Sequence, residues 1–122
     1  MKLTSDKSMI TKSRRLVTFF IEPHEDTADI AGALTGVFEQ ACAVVRSPFG
    51  EHRMPLEVSR DPSLIRKSLE GISITEIEIG EGCGKSDLIF IVDFRNRDLT
   101  CIGPLEYDFY SLLKENGLEF GI

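Results

Sequence analysis

The sequence predicts an α+β fold in which helices cover one face of an antiparallel sheet. Three observations predict it. Residues 88–94 (Leu-Ile-Phe-Ile-Val-Asp-Phe) are apolar except for Asp93, too short a run for a membrane span and what a strand covered on both faces looks like. Two other stretches repeat apolar residues at i, i+4, i+7 and i+8, the period of a helix with one buried face. A Gly-rich joint at residues 80–85 folds the run at 88–94 back on an alternating neighbour as a hairpin.

The elements follow in order. Residues 1–13 are polar and lack a clean period, so they read as a flexible leader to a single α+β domain over residues 14–122. Leu16, Val17, Phe19, Phe20 and Ile21 suit a strand, and Pro23 ends it by removing a donor. Asp26 or Thr27 caps a helix whose face is Ile30, Leu34, Val37, Phe38 and Ala41, with Ala28, Gly32 and Gly36 as a small-residue stripe. Val44 and Val45 start a short strand stopped by Pro48, and Leu56 and Val58 suit an edge strand. Asp61-Pro62 caps a two-turn helix closed by Gly71, its buried side Leu64, Ile65 and Leu69. Ile72 and Ile74 share one parity, Ile77 and Ile79 the other, so a bulge near Thr75-Glu76 would bring all four to one face.

After Phe94, residues 95–98 read as a polar exit. Gly103-Pro104 starts a last helix with Leu105, Phe109, Leu112 and Leu113 inward and Asn116-Gly117 as its C-cap, and Leu118, Phe120 and Ile122 alternate as a final strand. The resulting β-α-β-β-α-β order, with a short helical insert, is that of a ferredoxin-like sandwich, in which the strand at 15–22 and the strand at 88–94 lie side by side. Gly32-Ala-Leu34 at the first helix and Arg46-Ser-Pro48 beyond it resemble the ACT domains, small regulatory modules that sense amino acids. The resemblance implies a metabolite-binding module, usually dimeric, with its ligand at a helix start such as residues 26–32. ACT domains place a Gly at the end of the first strand, where this chain has Pro23 and a polar turn, so no effector contact carries over.

Composition narrows the function. The 122 residues are 42% hydrophobic and 28% charged, ordinary globular values, with a net charge of −6. Residues 1–60 balance eight acids with eight bases, whereas between Glu76 and Glu119 ten acids face four bases. Such a field repels nucleic acid and attracts a basic protein. No 7- to 15-residue apolar stretch follows the basic start, and the scattered Cys42, Cys83 and Cys101 suit a reducing compartment; both point to a cytoplasmic protein with no membrane segment.

No residue pattern announces a chemistry. Gly80-Glu-Gly-Cys-Gly-Lys-Ser86 has Ile79 where a P-loop needs its first Gly, and a strand follows instead of a helix. His24, beside Glu25 and Asp26, offers a weak ion site without a second His at i+4; the plain alternative is a solvated helix start. His52 reads as a loop residue, and a Cys83–His52 pair has no local support. The expectation is therefore a protein without catalytic residues, metal or cofactor. Glu76, Glu78, Glu81, Glu106 and Asp108, with Tyr107 and Tyr110 as aromatic anchors, form the candidate partner-binding set, the alternative being a solvated polar face. The class they suggest is a small acidic inhibitor, such as an immunity protein that occludes a basic, nuclease-type toxin, with self-association as a homodimer open. An ACT-like sensor is the second expectation.

Overall fold

The computed structural model describes residues 1–9, 13–37, 41–47, 50–54, 61–69, 76–81 and 88–122. Among them are seven strands, β1 Lys2–Met9, β2 Arg14–Phe20, β3 Ala41–Ser47, β4 Gly50–Met54, β5 Glu76–Glu81, β6 Ile89–Asp93 and β7 Asp98–Pro104, and three helices, α1 Thr27–Thr35, α2 Pro62–Leu69 and α3 Phe109–Glu115. The strands make one sheet in the order β1-β2-β7-β6-β5-β3-β4. Every ladder is antiparallel.

Directly opposed residues on an antiparallel ladder point to the same face, so the register sorts the side chains into two layers. Val17 opposes Cys101 and Phe19 opposes Leu99; Cys101 opposes Phe90 and Leu99 opposes Val92; Phe90 opposes Ile79 and Val92 opposes Ile77. All eight are buried. The helices cover this layer: α1 packs on β3, β5 and β6 and α2 packs on α1, while Phe109 and Tyr110 of α3 set their rings against Phe90 and Phe19 at centroid distances of 6.1 Å and 6.2 Å. Burial of each such aromatic contributes about 2 to 3 kcal/mol before entropy is counted.

Local chemistry sets the helix starts. Asp26 caps α1 by accepting from the Ala28 amide at 2.8 Å. Asp61 accepts from the Ser63 amide at 2.9 Å, and Pro62 opens α2 where its missing N–H costs nothing. Asp108 accepts from the Ser111 amide at 3.1 Å at the head of α3. Arg66 of α2 reaches both Asp26 at 2.7 Å and Asp29 at 2.9 Å, tying α2 to α1.

The α+β class, the β5–β6 hairpin, the Asp61-Pro62 start of α2 and helices on one face match the sequence-based expectation. The ferredoxin-like order does not. The polar exit expected at 95–98 is a tight turn that sends the chain back as β7, and β7 lies between β2 and β6, the two strands expected to be neighbours. Asp93 makes that turn: its Oδ1 accepts from the amides of Arg95 at 3.0 Å and Asn96 at 2.9 Å. Residues 103–104 end β7, and the last helix begins only at Phe109, which leaves Leu105 41% exposed.

Within the leader expected over residues 1–13, Lys2–Met9 instead pair along β2 as β1, residues 10–12 lying outside the described residues. Its signal is obscured by a register shift between Leu3 and Ser5. α1 stops at Thr35, and Ala41, expected on its apolar face, belongs to β3. Leu64 of α2 is 38% exposed instead of buried. The expected last strand is a single parallel bridge, Lys2 to Gly121, with the Leu3 amide donating to the Gly121 carbonyl at 2.9 Å. Phe120 of this tail packs on Phe19 and Tyr110 at 5.3 Å and 5.4 Å. The bulge at Thr75, Ile72 and Ile74, Leu56 and Val58, and most of the Gly-rich joint lie outside the described residues.

Candidate functional site

After β2 the chain turns at Glu22-Pro-His-Glu25, where the Glu25 amide donates to the Glu22 carbonyl at 2.9 Å. Pro23 presets the first bend, so the acids at either end of the turn come to one side. Arg97 holds this turn from below. Its Nε donates to the Ile21 carbonyl at 2.9 Å, and its Nη2 donates to the Glu22 and Glu25 carbonyls at 2.6 Å each. Arg97 itself has φ +56°, a left-handed backbone that costs a non-glycine residue about 1 kcal/mol.

Glu22, His24 and Glu25 each bring a donor atom within 4.8 Å of the others, Glu22 and Glu25 half-buried and His24 exposed. They line a cavity of about 450 Å³ together with Met1 and residues 117–121, including Glu119 and Phe120. The Met1 nitrogen donates to Glu25 Oε1 at 2.5 Å and to the Glu119 carbonyl at 2.9 Å. The cavity wall thus brings together glutamates from positions nearly a hundred residues apart, with the Met1 ammonium paired to Glu25 among them. Of the weak ion site weighed at His24-Glu25-Asp26, Asp26 is engaged by the head of α1 and by Arg66, and Glu22 stands with His24 and Glu25 instead.

The partner-binding residues expected from sequence fall into two groups on opposite faces of the sheet. At the start of α3, on the helix side, Glu106 and Asp108 are exposed and Tyr107 is half-buried, its ring 5.1 Å from Phe109. Burial and the nearby carboxylates of Glu115 and Asp108 push the Tyr107 phenol upward, whereas the Ser111 hydroxyl and amide hold the Asp108 carboxyl below its ordinary value. Tyr110 is already engaged: its hydroxyl donates to Asp6 Oδ2 at 2.7 Å. Arg15 completes that cluster, donating to Asp6 Oδ1 at 3.0 Å and Oδ2 at 2.6 Å and standing over the Tyr110 ring at 5.3 Å.

Glu76 and Glu78 stand on the other face of β5 from the buried Ile77 and Ile79, as strand alternation requires. Glu76 opposes Asp93, and Asp93 opposes Asp98, so three neighbouring strands carry a lateral row of carboxylates. Burial and the Asp93 charge raise the Asp98 carboxyl above its ordinary value. Glu81 is in β5, with its side chain outside the described residues, as is the side chain of His52 in β4; Cys83 lies outside them altogether. Cys101 is buried, and burial pushes its thiol upward, which makes it a core residue and a poor nucleophile.

Sequence reasoning missed the convergence of Glu119 on the Glu22–Glu25 turn, the Arg97 clamp and the Asp93–Asp98 pair. The Glu-Pro-His-Glu turn was readable from its spacing. Arg97 and Glu119 carry no local signal, because they act through the backbone and cavity wall of distant segments. Comparison of the chain with protein-family models, with curated proteins and with solved structures gives no match. Among the described residues, no helix is long and apolar enough to cross a membrane.

Proposed function

We propose that the protein is a small acidic binding protein, without chemistry of its own, that occludes a basic protein partner; an immunity protein neutralising a nuclease-type toxin is the most concrete form. The observation that carries this reading is the convergence of Glu22, Glu25 and Glu119 on one cavity. A lysine or arginine of the partner enters there as a counter-charge to Glu22 and Glu119, Glu25 being already paired with the Met1 ammonium. Rigid presentation favours affinity, since the Arg97 clamp orders the turn before the partner arrives. Glu106 and Asp108 at the head of α3 extend the negative field on the helix side, with Tyr107 as an aromatic contact.

Charge of this kind acts mainly on the rate of encounter and on discrimination against wrong partners, so its signature is salt dependence. Titration of the full chain against the basic protein encoded by the adjacent gene, at low and high salt, tests the reading. The expected result is a complex that weakens as salt rises and weakens at least about tenfold in the Glu22→Lys, Glu119→Lys double variant. A complex indifferent to both salt and these substitutions, or no complex, counts against it.

A further inference from the structure

Three side chains of the turn before α1 can meet on one metal ion. Glu22, His24 and Glu25 each bring a donor atom within 4.8 Å of the other two. A tetrahedral divalent ion with bonds of about 2.0 to 2.2 Å needs its donors about 3.4 Å apart. A small rotation of His24 closes that gap. Its side chain is exposed and, among the described residues, makes no hydrogen bond or ion pair.

The remaining donors are also in a state to bind. Glu22 is half-buried, and its carboxylate has no partner among the described residues. Glu25 uses Oε1 to accept from the Met1 nitrogen at 2.5 Å and from the Glu22 amide at 3.4 Å, and its Oε2 accepts from no described residue. That is the arrangement of a ligating carboxylate, with one oxygen held from behind and the other presented. Arg97 spends its donors on backbone carbonyls instead of on these carboxylates. On the cavity wall Glu22, Glu25 and Glu119 face one ammonium, that of Met1, so two negative charges stand uncompensated. A divalent cation balances them. The imidazole decides its type, since magnesium and calcium take oxygen donors, whereas one ring nitrogen with two carboxylates suits zinc.

We propose that Glu22, His24 and Glu25 bind one zinc-type divalent ion, its fourth position opening into the cavity of about 450 Å³. Three protein ligands and one open position are a recurrent zinc arrangement. Arg97 holds Ile21, Glu22 and Glu25 through their carbonyls, so the turn that carries the ligands is ordered before the ion arrives. Preorganisation of this kind lowers the cost of binding. The inference does not rest on the basic-partner reading. Glu22 is common to both, whereas His24 serves only the metal and Glu119 only the partner, so the two fail separately.

Calorimetric titration of the full chain with zinc chloride, after a chelator has stripped it, tests the proposal, with circular dichroism as a check on folding. The expected result is saturable binding of one ion per chain and a melting temperature that rises with zinc. His24→Ala and Glu22→Gln are each expected to weaken binding at least about tenfold, while His52→Ala, Cys83→Ser and Glu119→Gln leave it within about twofold. Magnesium chloride is expected to produce no comparable response. Should Glu22→Gln disturb the fold, His24→Ala decides, since an exposed side chain without a hydrogen bond holds nothing else in place. No saturable binding up to about 100 μM zinc overturns the proposal, as does a response that magnesium matches. Binding indifferent to both His24→Ala and Glu22→Gln overturns it too, being an adventitious ion only, held elsewhere.

Discussion

The two faces of the sheet are made by the same strands, one residue out of step, and differ in how completely the chain resolves them. On the covered face the opposed pairs Val17–Cys101, Phe19–Leu99, Phe90–Ile79 and Val92–Ile77 are apolar and buried, and α1 and α3 supply the matching surface. On the open face apolar residues alternate with carboxylates, and cross-strand pairs such as Asp93 with Asp98 set like charges side by side. Over these pairs composition, alternation and register agree, which is how a sequence specifies one fold. The open face departs from that agreement at the like-charged pair Asp93–Asp98.

The contrast is sharpest in the cost of removing a ring or a branch. Phe90 is fully buried and edge-on to Phe109, so Phe90→Ala is expected to cost about 3 to 5 kcal/mol in denaturant unfolding. Its neighbour Ile91 points to the open face and is half-buried. Ile91→Ala, measured at a concentration where only single chains are present, is expected to cost well under half as much. Equal costs would mean that the open face is covered within the chain and that the division into two faces is wrong.

The cluster of Asp6, Arg15 and Tyr110 marks where the covered face is sealed by the chain's own first strand. Asp6 opposes Val17, so it points toward the helices, and it accepts from both Arg15 and Tyr110. Asp6→Asn is expected to cost about 1 kcal/mol, a modest sum because the pair is partly solvated. The Arg15 hydrogen bond first, and the Tyr110 hydroxyl after it, hold the Asp6 carboxyl below its ordinary value of 3.8. A depressed carboxyl contributes stability that is present above 3.8 and is lost as pH falls through the lower folded value. The difference between Asp6→Asn and the parent chain should therefore be full at neutral pH and vanish in strong acid. A difference that persists in acid would assign the loss to packing instead of charge.

The covered face was largely legible in the sequence and the rest was not, for physical reasons. Phe90 and Val92 announce a buried strand by composition, and Phe109, Leu112 and Leu113 mark the inner side of α3 by spacing. β7 was hidden because its alternation runs through weak signals: Leu99 and Cys101 point inward, Gly103 has no side chain, and Thr100 and Ile102 face the other way. The turn before it lacks glycine, its left-handed position being filled by Arg97. β1 is polar at most positions, and only its ladder to β2 identifies it. In the candidate site, Glu78 and Glu76 alternate with Ile77 and Ile79 along β5, but no local pattern brings Glu119 to Glu22. That meeting depends on the tail bridging to β1 at Gly121.

The smallest expected effect is the most specific to the open face, and it has the opposite sign from Asp6. Burial, and after it the Asp93 charge, raise the Asp98 carboxyl above 3.8. A raised carboxyl destabilises the folded chain when ionised, and the penalty is relieved as pH falls through the folded value toward 3.8. Asp98→Asn is therefore expected to stabilise the single chain at neutral pH by about 0.5 kcal/mol, the range for removing a like charge directly across a ladder. The gain should shrink as pH falls toward 3.8, and the loss from Asp6→Asn should shrink at lower pH, below 3.8. Thermal melts of both variants from neutral pH into acid separate the two cases: curves that converge on the parent chain from opposite sides support the assignment of one carboxylate to each face. If Asp98→Asn destabilises at neutral pH, the carboxylate has a favourable partner within the chain, and the open face is better satisfied than its row of acids implies.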